Sequence, residues 1–152
     1  MAIKENEGDI KMIVEMINDN NKTMVINLLN NVNGLKIEEN IINNCLVLLN
    51  DNYDICGTIS YEQYDSLALI RYFVFKRNID YSDLVLLYQE LEKVLNNKKI
   101  KESLAIINSS EVKEVFEYLG FNKINKDKVY FEETIFSKTN YKDNDVYVKK
   151  IN

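Results

Sequence analysis

The sequence predicts an α/β (α+β) fold: a mixed, mostly antiparallel sheet with one parallel strand pair and helices on both faces. Three observations carry that prediction. Leu67 to Phe75 (LALIRYFVF) is apolar on both faces apart from Arg71, the pattern of a strand in the middle of a sheet covered on both sides. Tyr81 to Asn96 places Leu84, Leu87, Tyr88, Leu91 and Leu95 on one helical stripe. Leu104 to Ile107 then reads as a short buried strand. Strand, helix and strand make a crossover, which implies a parallel pair with a right-handed connection.

The other elements follow in chain order. Lys11 to Ile17 (KMIVEMI) reads as a strand. Asn20 or Asn21 is placed to cap a helix, because a short amide side chain accepts from free backbone N–H groups. Met24, Val25, Leu28, Leu29 and Val32 recur at helical spacing, and Gly34 ends the run. Ile37 to Asn43 reads as a second short helix. Cys45 to Leu49 (CLVLL), the turn tract Asn50 to Asn52 and the return strand Ile55 to Tyr61 (ICGTISY) join Leu67–Phe75 in an antiparallel meander. After the crossover, Asn108 and Glu111 can form an Asn variant of the capping box. Val112, Val115, Phe116 and Leu119 make the buried stripe of the next helix, with Gly120 as its left-handed stop. Val129 to Phe136 and Val146 to Ile151 read as a final strand pair. The expected order is β-α-α-β-β-β-α-β-α-β-β.

Composition bounds the function. A chain of 152 residues, 46% hydrophobic and 28% charged, reads as one soluble domain. No linker or repeat divides it. It has no histidine, which removes Ser-His-Asp and Cys-His catalysis, His-ligated metals and imidazole acid/base chemistry. A net charge of -5 argues against a nucleic-acid partner. The small basic group Lys123, Lys126 and Lys128 reads as a solvated turn. Cys45 and Cys56 lie in no C-x-x-C pair and no other ligand type completes a zinc site, so no metal is expected. They read as small buried apolar residues of a reducing, cytoplasmic compartment. Met1 to Asp9 is polar and charged, unlike a signal peptide, and no apolar run approaches the ~20 residues of a membrane span.

The element order, together with EYLGF (Glu117 to Phe121), resembles the GNAT N-acyltransferase family over nearly the whole chain. Phe73 to Leu95 (FVFKRNIDYSDLVLLYQELEKVL) looks like the family's acyl-CoA segment. Leu104 to Phe121 looks like its second half, and Asp145 to Ile151 (DVYVKKI) like its last strand. The resemblance implies a single GNAT-like acyltransferase domain over residues 1–152 that uses acetyl-CoA. It implies that Phe73, Val74 and Phe75 bind the pantetheine arm where their strand splays from its parallel neighbour, between Val74 and Ile106. The pyrophosphate would then sit on the helix N-terminus at Asp80, Tyr81, Ser82, Asp83 and Leu84, with Asn108 completing the cofactor site.

The residues depart from the family's pattern. Its loop is Arg/Gln-x-x-Gly-x-Gly/Ala, because Cβ atoms keep a phosphate from the backbone. Here Ile79 stands at the Arg/Gln position, and Asp80, Ser82 and Leu84 stand at the small-residue positions. Asp80 or Ser82 can cap the helix internally, and Asp80 and Asp83 oppose an anion; Lys76 and Arg77 compensate in charge. The family's tyrosine before Leu-Gly-Phe is Phe116, and Tyr118 lies about 200° further round the helix. Glu62 is the nearest carboxylate for a general base, against a plain reading as a surface charge at a strand end. Arg71 is expected to be at least partly buried and paired; it serves either an internal ion pair or a substrate carboxylate. Two readings remain. One is an N-acyltransferase acting on a small-molecule amine or peptide. The other is a catalytically silent GNAT-fold module that binds a small ligand or protein. Monomer and homodimer are both open.

Overall fold

Leu67–Phe75 forms a strand with the bounds its apolar run predicts, and the sheet is built outward from it. The computed structural model describes residues 2–5, 11–77, 79–125, 130–131, 134–135 and 144–151. In chain order the elements are β1 (Ala2–Glu5), β2 (Lys11–Met16), α1 (Lys22–Asn30), α2 (Glu39–Ile42), β3 (Leu46–Leu49), β4 (Ile55–Tyr64) and β5 (Leu67–Phe75). They continue as α3 (Tyr81–Asn97), β6 (Glu102–Ile107), α4 (Ser110–Tyr118), β7 (Asn122–Ile124), β8 (Tyr130–Phe131), β9 (Thr134–Ile135) and β10 (Asp145–Lys150). The strand order of the main sheet is β1-β2-β3-β4-β5-β6-β10-β7. β5 and β6 are parallel, with Leu67 opposite Glu102 and Leu69 opposite Leu104, as the crossover required. The mixed α/β sheet with one parallel pair is therefore as expected.

The chain divides into two compact units, residues 1–62 with 71–93 and residues 63–70 with 94–152. In the first unit, Val47 and Leu49 of β3 pack with Val25, Leu29, Ile41 and Ile42 of the two short helices. Leu46 and Leu48 point the other way and are equally buried, so β3 is covered on both faces. In the second unit, Leu69, Leu104 and Val146 form a core across β5, β6 and β10.

Local chemistry departs from expectation at several ends. Asn21 is the N-cap of α1 but its side chain makes no capping bond. It is fully buried and turned back, donating to the Met16 carbonyl and accepting from Asn18 N–H, while the Asn18 side chain receives the N–H groups of Asn20 and Asn21. α1 stops at Asn30, ahead of Gly34, whose φ of +77° serves the following turn. The cap of α4 is Ser109, which accepts from Val112 N–H at 3.2 Å, so the proposed Asn108–Glu111 box is displaced by one residue. Met1 to Asp9 contains β1, which pairs antiparallel with β2; its polar sequence hid an edge strand. β10 pairs with β6 and β7, while β8 and β9 pair with each other in a separate sheet. The expected pairing of Val129–Phe136 with Val146–Ile151 is thus incorrect for the described residues. β7, which follows α4, takes the place beside β10.

The α4 C-terminus meets expectation in full. Gly120 has φ +97°. Gly120 N–H donates to Glu117 O and Phe121 N–H to Phe116 O, and the Phe116 and Phe121 rings meet edge-on at 4.9 Å. This is a Schellman turn with its apolar contact. Replacing Gly120 with Ala forces a Cβ into left-handed backbone, 3.4 Å from Lys149 Cε. Urea unfolding of Gly120→Ala should show a loss of about 1 kcal/mol or more.

Cys45 is fully buried, as expected, but Cys56 is half-buried. Burial pushes the Cys45 thiol up from its ordinary 9.0 to about 11, partly offset by Ser60. A folded-state value above the unfolded one gives stability that is complete below the unfolded value and lost as pH rises through the folded one. Between pH 9 and 11 the wild type should lose about 2–3 kcal/mol more than Cys45→Ala, measured by denaturant titration across that range.

Candidate functional site

β5 contains a left-handed residue. Tyr72 has φ +51° although it carries a Cβ and a buried ring. That conformation costs an L residue roughly 1–2 kcal/mol, so its surroundings must enforce it. Its carbonyl accepts from the buried Thr58 hydroxyl at 2.8 Å. Its phenol donates to Lys36 O at 2.7 Å and accepts from Glu38 N–H at 2.8 Å. Strand, ring and the segment before α2 are thereby fixed together. Burial also raises the Tyr72 phenol above its ordinary range, with Arg71 and the Glu38 amide opposing, so the hydroxyl keeps its proton and its donation.

Arg71 is half-buried and paired, as its place in an apolar strand required. One guanidinium nitrogen pairs with Glu62 Oε1 and another lies 3.6 Å from Glu38 Oε2. The guanidinium carbon sits 5.6 Å from the centre of the Tyr72 ring. Glu62 is inside β4, which runs on to Tyr64, so it is not a loose charge at the strand end. The structure brings Arg71 and Glu62 together. It adds Glu38, which no sequence pattern marked, because the loop before α2 reaches β5 only in three dimensions.

Phe73, Val74 and Phe75 are half-buried, and the Phe73 and Phe75 rings lie 5.2 Å apart. Beyond them Lys76 N–H donates to Cys56 O, and Lys76 and Arg77 are exposed. At the start of α3, Asp80, Tyr81 and Ser82 are exposed whereas Asp83 and Leu84 are buried. The Asp80 carbonyl accepts from Asp83 N–H at 2.9 Å and Leu84 N–H at 3.4 Å. Val74 belongs to the first unit, Ile106 and Asn108 to the second; Asn108 is exposed. In that second unit Phe116 is buried against Phe121 while Tyr118 is 58% exposed, so the two point apart as the helical angle required. Lys123 pairs with Asp145 at 3.6 Å; Lys126 and Lys128 lie outside the described residues. No described helix is long and apolar enough to cross a membrane. No described cluster of three or more Cys, Asp and Glu is arranged to hold a metal ion.

No protein-family model and no curated protein matches the chain in sequence. Solved structures match it in fold. An acetyltransferase of the GNAT family from Staphylococcus aureus superposes with a TM-score of 0.70 at 14% identity, covering 93% of this chain and 99% of that one. A Mycobacterium tuberculosis protein in complex with CoA gives 0.72 at 13% identity, over 92% and 99%. This is the GNAT acetyltransferase fold. N-acetylglutamate synthase from Neisseria gonorrhoeae, complexed with CoA and N-acetyl-glutamate, gives 0.70 at 13% identity over 93% of this chain and 35% of its own.

No glycine occurs between Gly57 and Gly120, so every residue of the turn from β5 into α3 carries a Cβ. Asp83, 4% exposed, places a carboxylate in the first helical turn.

Tyr72→Phe removes a hydroxyl that serves two backbone partners. It should cost about 1–3 kcal/mol in urea unfolding and speed hydrogen exchange at the Glu38 amide, which loses its acceptor.

Proposed function

We propose that this chain is an N-acyltransferase that moves an acyl group from a thioester of CoA to an amine. The observation that carries the reading is the left-handed Tyr72 in a central strand that leads directly into the long helix α3. Strained backbone held by several independent bonds belongs to sites where the strain is used. A turned strand releases amides from the regular ladder, and such amides can polarise a thioester carbonyl. The acyl thioester supplies the activated carbonyl. The amine nitrogen forms a bond to that carbon, the carbon–sulfur bond breaks, and the sulfur leaves as thiolate with the nitrogen's proton going to a base or water.

Phe73, Val74 and Phe75 are proposed to line the donor's arm, with Asp80 to Leu84 at its far end. Glu62 is proposed as the base that takes the proton, oriented by Arg71. Arg71 already bridges Glu62 and Glu38, so its first role is to hold two carboxylates beside the Tyr72 turn. The acceptor is a small-molecule amine or a peptide. The two units are read as halves of one domain in a cytoplasmic protein.

A silent binding module is the second reading, favoured by Phe116. A buried phenyl ring stands where the resemblance puts a tyrosine to protonate the thiolate, and the exposed Tyr118 points elsewhere. Thermal shift with excess acetyl-CoA separates binding from none: a ligand at a hundred times its dissociation constant adds about 2.7 kcal/mol. Thiol release with a panel of amines separates the enzyme from the module. Arg71→Met should abolish release and lower stability together, whereas Glu62→Gln should cut release at least tenfold and shift its pH profile while binding of the donor holds. Release by Glu62→Gln at the wild-type rate would remove Glu62 from the chemistry.

A further inference from the structure

We infer that the acyl donor is recognised through its acyl-pantetheine arm and that the nucleotide end of CoA adds no affinity. The inference rests on the acyltransferase reading above and narrows its donor to an acyl-pantetheine thioester. Charge is the first ground. Between residues 76 and 84, Lys76 and Arg77 are balanced by Asp80 and Asp83. A diphosphate approaching the start of α3 meets no net positive field.

Burial is the second ground. Asp83 is 4% exposed, so salt and water screen it poorly. Its charge occupies the first turn of a 17-residue helix, where the dipole would otherwise favour a ligand anion. Backbone access is the third. The N–H of Asp83, one of the amides that a helix start leaves open, is bonded to the Asp80 carbonyl. The nearest glycine, Gly57, is committed to packing, because a Cβ there would lie 3.2 Å from both Phe75 Cβ and Val74 O. A pantetheine arm is indifferent to all three. It is neutral, and its amides need only strand backbone, which β5 offers.

Calorimetric titration of the full chain with acetyl-CoA and with acetyl-pantetheine tests the inference. The expected result is dissociation constants within tenfold of each other, with acetyl-CoA gaining no affinity at low salt. Acetyl-CoA tighter by tenfold or more overturns this inference and leaves the acyltransferase reading standing. Binding of neither compound overturns both. Asp83→Asn, or the exposed Asp80→Asn if the first variant unfolds, should tighten acetyl-CoA at least threefold and leave acetyl-pantetheine unchanged. Acetyl-CoA affinity unmoved by both changes would overturn the assignment to these carboxylates.

Discussion

One phenol hydroxyl fixes the centre of the first unit. Tyr72 reaches from β5 to the backbone at Lys36 and Glu38, donating to one and accepting from the other. The hydroxyl's donor and its acceptor capacity are both used, so the segment before α2 is held in register with the strand. The left-handed turn at Tyr72 aims the ring at that segment, and Thr58 closes the turn from the neighbouring strand. Arg71 stands next in sequence and brings the charges of Glu38 and Glu62 to the same place. Geometry and electrostatics thus converge on two adjacent residues of one strand.

Most of the architecture was legible because periodicity and end signals agreed. β5 and α3 combine a long apolar pattern with clear breaks, and both have the expected bounds at their starts. Leu-Gly-Phe declared its turn, since only glycine takes that backbone at little cost. The errors fall where signals are short or shared. Three asparagines stand among the five residues after β2, and each can serve a cap or a turn; which one does so depends on burial of Asn21. β1 is four residues long, two of them charged, and sits at the sheet edge, where an alternating apolar pattern is not required. β7 is three residues long, too short for any period to show.

The candidate site was legible only as composition. Arg71 announced itself as a charge in an apolar strand, and the need for a partner followed from the cost of burying it. The identity of Glu38 did not follow, because pairing across 33 residues is a property of the chain path. The turn at Tyr72 left no trace either. LALIRYFVF contains no glycine or asparagine to mark left-handed backbone, and the bonds that hold a tyrosine there come from a distant loop and the neighbouring strand. The two acidic residues at the start of α3, Asp80 and Asp83, were, in contrast, visible by type alone. The structure adds that Asp83 is buried while Asp80 is exposed, a distinction that side-chain identity does not carry.

The two free thiols differ in access as well as acidity. Cys45 is sealed between α2 and β3, and Cys56 is half-buried on β4 of the same unit. An alkylating reagent would therefore meet Cys56 in the native state and Cys45 only after the core around it opens. The pair makes a built-in clock: the ratio of label at the two positions reads how often that core comes apart, with Cys56 correcting for reagent strength in every sample.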